Sequence, residues 1–255
     1  MLLALDIGNS SISIGIFKEN KLVKTFKVAS DKKRSCDEYG AVLTTILEQH
    51  QLKSELKSAV IASVVLPLTD VLKEAIDSYL NIPVFKITSK VNTGVKYKVD
   101  NPKEIGADRI ANARAAYELY GKPCVVVDFG TATNFDVVSK EGEFLGGVIA
   151  PGLGISANAL STYTSLLPKV KIEKPSSAIG KNTIDNILSG LVIGHAKMID
   201  GMIEEIEKEL GEKVITIATG GYSDILESSL NRRFDYINPN LTLEGLRLIY
   251  NNIKS

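Results

Sequence analysis

From Leu2 to Ile16 the chain is apolar except at one polar break, Asp6-Ile7-Gly8-Asn9-Ser10. Leu2-Leu3-Ala4-Leu5 predicts a buried strand, and Ser11-Ile12-Ser13-Ile14-Gly15-Ile16 alternates with the period of two that a half-buried strand requires. Lys21 to Val28 alternates similarly after a turn at Glu19-Asn20, so three antiparallel strands open the fold. Between Cys36 and Gln51 the spacing changes, with Tyr39, Val42, Leu43, Ile46 and Leu47 at helical intervals. Ser58 to Val65 predicts a buried strand that Pro67 ends. A helix capped by Thr69 or Asp70 then runs to Leu80, and Pro83 to Ile87 is a short strand. This half reads βββαβαβ.

Asn101-Pro102-Lys103-Glu104 has the form of a helix start, with asparagine as cap and proline at the first position. The spacing predicts a helix from there to Tyr120, stopped by Gly121. Asp108 is locally unfavourable in such a helix, because Glu104 lies one turn before it, a like-charge pair costing roughly 0.2 to 0.5 kcal/mol. The strand pattern then repeats in Cys124 to Asp128, Thr133 to Val138 and Glu143 to Ala150. A helix near Ile155 to Ser161 follows Pro151-Gly152-Leu153-Gly154. After it come a polar excursion from Lys169 to Asn182, an amphipathic run from Thr183 to Leu210, a strand from Lys213 to Ala218, and a closing helix from Leu241 to Asn252.

The repeat extends to the chemistry. Asp6, Gly8 and Ser10 match Asp128, Gly130 and Ala132 at an offset of 122 (128 minus 6). In each copy an apolar strand stops at a carboxylate, and glycine and hydroxyl residues follow at once, the ingredients of a phosphate cradle. Either bend alone is also an ordinary hairpin turn. The aligned pair predicts two similar domains, 1–120 and 121–255, gripping one polyphosphate, with a cation between acid and anion. Asp108, on a helix leading back to the second bend, is the candidate general base, since an aspartate beside phosphates has a raised pKa. The glycines at 152 and 154 permit close approach by a ligand or a facing helix. Thr219-Gly220-Gly221 reads equally as a seat for an adenine ring or a plain loop. Gly180-Lys181-Asn182-Thr183 resembles the end of a P-loop, but Pro175 stands where its first glycine belongs, so it is not one. His50 and His195 have no catalytic role in this reading, and His195 is expected to be satisfied within its helix.

Thirty basic and thirty acidic residues leave no net charge, which removes the electrostatic case for nucleic acid or an anionic membrane as partner. No apolar run approaches the ~20 residues that span a bilayer. Cys36 and Cys124 form no Cys-x-x-Cys pair, consistent with a reducing, cytoplasmic setting.

Asp6-Ile7-Gly8-Asn9-Ser10, Gly106-Ala107-Asp108-Arg109 and Asp128-Phe129-Gly130-Thr131-Ala132-Thr133, in this order and with Thr219-Gly220-Gly221 near the end, resemble the type III pantothenate kinases. These belong to the superfamily of acetate and sugar kinases, actin and heat-shock chaperones. The resemblance implies an α/β fold of two ribonuclease-H-like domains of βββαβα type with a central ATP cleft, a homodimer, and ATP-dependent phosphorylation of pantothenate. It implies that Asp6, Ile7, Gly8, Asn9, Ser10, Ser11, Ile12 and Ser13 form the first ATP loop and that Thr131 contacts ATP. Gly106, Ala107, Asp108 and Arg109 would hold pantothenate, with Asp108 accepting the proton and Thr183 touching the substrate. Asp128 would hold a monovalent cation, potassium or ammonium, and Mg²⁺ would accompany ATP. Where the family usually carries a substrate-contacting tyrosine this chain has Val99, with Tyr97 the nearby substitute. The competing readings are a sugar kinase of the same superfamily and a non-enzymatic nucleotide-responsive regulator.

Overall fold

Alternate residues of the first strand enter different cores, Leu3, Leu5 and Ile7 on one face and Leu2 and Ala4 on the other, so the strand is central to its sheet. The computed structural model describes residues 1–88 and 90–254. By its contacts the chain forms two units, Met1–Glu118 together with the segment from Leu241, and Leu119–Asn240.

The first unit contains β1 (Leu2–Ile7), β2 (Ser11–Lys18), β3 (Lys21–Ala29), α1 (Cys36–Gln49), β4 (Ser58–Ser63), α2 (Leu66–Leu80), β5 (Val84–Lys86), the two-residue β6 (Lys96–Tyr97) and most of α3 (Ala107–Tyr120). Its sheet runs β3-β2-β1-β4-β5, antiparallel through the first three strands and parallel where β4 joins β1 and β5. Tyr39, Leu43 and Leu47 of α1 and Leu68, Leu72 and Ile76 of α2 fill one face. Ile110 and Ala111 of α3 fill the other, together with Leu243, Leu246 and Ile249 of a helix at Leu241–Lys254. That helix crosses α3 at Gly245, where any Cβ would collide with the Ala111 carbonyl.

The second unit contains β7 (Cys124–Phe129), β8 (Ala132–Val138), β9 (Glu143–Pro151), α4 (Leu153–Tyr163), α5 (Thr183–Leu188), α6 (Gly194–Leu210), β10 (Ile215–Gly220), α7 (Ser223–Glu227) and β11 (Tyr236–Ile237); the last helix of the chain is α8. Its strands lie in the order β9-β8-β7-β10-β11, repeating that of the first unit. Val125, Val127, Phe129, Phe135 and Val137 face α4 and α6. Both second-to-third strand ladders slip by one residue, between Ile16 and Phe17 and between Val137 and Val138, at an offset of 121 (137 minus 16). A shared irregularity at a shared position marks a true duplication, and each unit has the ribonuclease-H-like arrangement.

The elements differ from the sequence expectation in instructive places. Helix α2 begins at Leu66, with Pro67 in its first turn, where a missing N–H is no loss, so Thr69 and Asp70 lie inside the helix. The Asn101 side chain caps only a 3₁₀ turn at Pro102–Glu104, accepting from the Lys103 amide at 3.3 Å and donating to Glu104 at 2.6 Å. Ile105 is extended and α3 starts afresh at Ala107, so Glu104 is not on the Asp108 helix and the like-charge argument falls. The run from Thr183 to Leu210 is broken by a π-type turn at Ser189–Ile193. Division of the sequence at residue 120 assigns α8 to the second half, whereas its apolar face packs into the first.

Candidate active site

In the first unit the chain leaves β1 at Ile7 and turns through Gly8 to Ser10, the Gly8 amide donating to the Ser11 carbonyl at 3.0 Å. Asp6 lies opposite Ser13 of β2 and Ala62 of β4. Asn9 and Ser10 are exposed at the tip, while Ile7 and Ile12 are core residues whose backbone alone can meet a ligand. Beside this tip β4 ends, and the Val64 amide donates to the Ile7 carbonyl at 3.1 Å. The Val64 side chain lies 3.4 Å from where a Cβ on Gly106 would stand. Gly106-Ala107-Asp108-Arg109 is thereby brought next to the Asp6 hairpin at the C-terminal end of the parallel β1–β4 pair, the end at which α/β sheets bind ligands.

Gly106 makes room for Asp108, since any Cβ at 106 would collide with Asp108 Oδ1. That oxygen accepts the Arg109 amide at 2.8 Å. Asp108 occupies the first turn of α3, where unsatisfied amides favour a carboxylate. Burial raises its pKa above the ordinary aspartate value, and the Arg109 amide and charge oppose the rise in part. Ala107 is buried at the helix start, and Arg109 is half-buried. The Tyr97 hydroxyl lies 2.6 Å from Thr93 Oγ1 and its ring packs on the core beneath α3 and α8. Tyr97 is therefore tied into its own loop, and Val99 is half-buried.

In the second unit the bend is Gly130-Thr131, with the Gly130 amide donating to the Ala132 carbonyl at 3.1 Å and Thr131 exposed. Asp128 faces Asn134, six residues on (134 minus 128), whereas Asp6 faces Ser13, seven on (13 minus 6). The second bend is one residue shorter, so Ser11 rather than Ser10 is the counterpart of Ala132. Glycines surround this bend for steric reasons. A Cβ on Gly152 would collide with the Thr131 carbonyl and stand 2.7 Å from that of Gly130. Gly220, at φ +87°, would place a Cβ 2.6 Å from the Phe129 backbone and 2.7 Å from Asp128 Oδ1. The Gly221 amide donates to the Phe129 carbonyl at 3.1 Å, and a Cβ there would meet nothing within 4 Å. The glycines at 152 and 220 thus serve the bend itself, and Gly221 borders open space.

Two placements were not legible in the sequence. His195 Nε2 lies 2.8 Å from Thr133 Oγ1, so this histidine is satisfied by the strand after the bend and not within its own helix. Burial lowers its pKa and keeps the ring neutral. The π-type turn just before it rotates the helix face, which a regular period of 3.6 does not anticipate. Thr183, at the exposed first position of α5, stands outside the bend in a cap formed by Asn182, which accepts the Asp185 amide at 2.9 Å. Among the described residues no group of three or more His, Cys, Asp or Glu side chains is placed to hold a metal ion.

Comparison with known proteins identifies the family. The family model for type III pantothenate kinase matches residues 2–205. A type III pantothenate kinase of Moorella thermoacetica is 44% identical over 98% of this chain and 98% of its own length. One from Dehalococcoides mccartyi is 42% identical over 98% of this chain and 95% of its own. Among solved structures, the activator of 2-hydroxyisocaproyl-CoA dehydratase from Clostridium difficile, with bound ADPNP, superposes with a TM-score of 0.58 at 12% identity over 99% of this chain and 95% of that one. Component A of (R)-2-hydroxyglutaryl-CoA dehydratase from Acidaminococcus fermentans gives 0.57 at 14% identity over 100% and 99%. The structures share the fold, and the sequence relatives align with this chain over nearly its whole length, so the chain belongs to the type III pantothenate kinase family.

Proposed function

We propose that this chain transfers the terminal phosphoryl group of ATP to the primary hydroxyl of pantothenate, giving 4′-phosphopantothenate, the first step of coenzyme A biosynthesis. The observation that carries the reading is Asp108, a carboxylate of raised pKa set beside the Asp6 hairpin, with Gly106 leaving the room its Oδ1 occupies. A protein that only senses nucleotide needs the hairpin but no base.

We assign ATP to Asp6–Ser13 and Thr131, and pantothenate to Gly106–Arg109 and Thr183; an arginine complements the pantothenate carboxylate. Asp108 orients the hydroxyl and accepts its proton as the oxygen attacks phosphorus and ADP departs. Asp128 would hold the monovalent cation, potassium or ammonium. A carboxylate is the oxygen donor such a hard cation takes. When bound, this cation and the Mg²⁺ that comes with ATP neutralise phosphate charge. We place the enzyme in the cytoplasm, where its two free cysteines stay reduced. We also assign it a homodimer. Exposed Ile149, Ile155, Tyr163, Leu166, Ile179 and Ile184, all within one stretch of the second unit, offer the apolar surface for it.

The test is ADP release from Mg-ATP with potassium and pantothenate, repeated with hexoses and with Asp108→Asn. Pantothenate-dependent release that falls roughly 10²-fold or more in the variant is expected, the scale of general-base catalysis. Release with glucose instead makes it a sugar kinase, and absence of release with every alcohol tried makes it a regulator. Equal rates in sodium and potassium would remove the cation role of Asp128.

A further inference from the structure

Three carbonyl oxygens of the Asp6 hairpin are directed onto protein donors. The Gly8 carbonyl accepts the Ser30 hydroxyl at 2.6 Å, the Ser10 carbonyl accepts the Ser30 amide at 3.2 Å, and the Ser11 carbonyl accepts the Gly8 amide. Ser30 is the residue just after β3, and it is held in turn. The hydroxyl of Tyr39, which is 1% exposed, accepts the Asp31 amide at 2.9 Å and lies 3.1 Å from the Asp31 carbonyl and 3.4 Å from that of Ala29. A buried post on α1 thus fixes both neighbours of Ser30.

We infer that Ser30 is a positioning residue for the first phosphate loop, acting through the carbonyls of Gly8 and Ser10 and held by Tyr39. A carbonyl oxygen repels phosphate, so a loop that receives one must turn its carbonyls onto protein donors. Ser30 does this twice from one residue, by hydroxyl and by amide, and the side chains of Asn9 and Ser10 stay exposed at the tip. Substitution by alanine keeps the amide bond and frees the Gly8 carbonyl. The inference rests on the kinase reading above.

The experiment is steady-state kinetics of Ser30→Ala and Ser30→Thr with each substrate varied in turn, beside thermal unfolding. Ser30→Ala is expected to raise KM for ATP roughly tenfold, the upper range for one hydrogen bond, and to leave KM for pantothenate within about twofold. Ser30→Thr, which restores the hydroxyl, is expected to return KM for ATP to within about threefold of the parent. Unchanged KM for ATP in Ser30→Ala overturns the inference, as does an equal rise in both KM values with a fall in Tm, which marks a structural role only. Should Ser30→Ala fail to fold, Tyr39→Phe loosens the same corner by one oxygen, and the same ATP-selective rise or its absence decides. If the parent protein shows no pantothenate-dependent release, the kinase reading has failed, and that outcome is distinct from a silent Ser30 variant in an active parent.

Discussion

Where the parallel strand beside each bend ends, its last residue and the next share a backbone path and differ in their side chains. In the first unit they are Ser63 and Val64, and the Val64 amide bonds the Ile7 carbonyl while its side chain supports Gly106. In the second they are Gly220 and Gly221, and the Gly221 amide bonds the Phe129 carbonyl at the same 3.1 Å. The residue after the third strand shows the same divergence: Ser30 holds the first bend by hydrogen bonds, and Gly152 lets the carbonyls of the second lie against its Cα. At the start of the second strand, Ile12 is core where Thr133 bonds His195. One duplicated corner was finished as a floor beneath Asp108 in the first unit and as a bare, glycine-lined one in the second. Backbone hydrogen bonding is therefore what the duplication preserved, and side-chain volume is what carries the difference in chemistry.

Exchanging counterparts tests this. The largest effect is expected for Gly152→Ser, the residue native to the first unit, because its Cβ meets backbone that no rotamer can avoid. Overpacking of this kind costs about 1 to 3 kcal/mol or more. In thermal unfolding each kcal/mol lowers Tm by roughly 2 to 4 °C at this size. A Gly152→Ser protein as stable as the parent would break the comparison. Next is the pH response that only the first unit should supply. Burial raises the pKa of Asp108, and the base works deprotonated, so kcat/KM should fall roughly tenfold per unit below a midpoint lying above the ordinary aspartate range. Stability runs the other way. A carboxyl whose folded pKa exceeds its unfolded value weakens the fold as pH rises through that interval, so Asp108→Asn should lose the acid limb and gain in Tm at neutral pH. A rate profile flat down to the ordinary carboxylate range would show that the site does not perturb Asp108. The smallest effect is expected for Thr133→Val, which keeps the shape and leaves His195 without its partner, at about 1 kcal/mol in denaturant unfolding.

All the strands except the two-residue β6 and β11, and the two acidic bends, were legible because apolar runs, period-two alternation and an Asp-x-Gly stop are local signals. The helix carrying Asp108 was read too long. Asn101-Pro102 is a genuine cap, but of a single 3₁₀ turn, after which Ile105 is extended and the helix starts afresh at Ala107. The supports at Ser30, Gly152 and His195 were illegible for a related reason. Each acts on backbone or on a partner distant in sequence, and neither a lone serine at a strand end nor a histidine after a π-type turn has a local pattern. The identity of the bends could be read from their residues, whereas the one-residue difference in their lengths required the strand register.

Gly245 lets α8 lie directly on α3, and with it the first unit is completed by a segment that follows the whole of the second. As the chain leaves the ribosome, the half that emerges first must wait with one sheet face covered by α3 alone until the other half has been made. Its apolar residues Leu2, Ala4 and Ile110 stay partly wet for that interval, so any change that slows translation between Leu119 and Asn240 lengthens their exposure, although the finished molecule is the same.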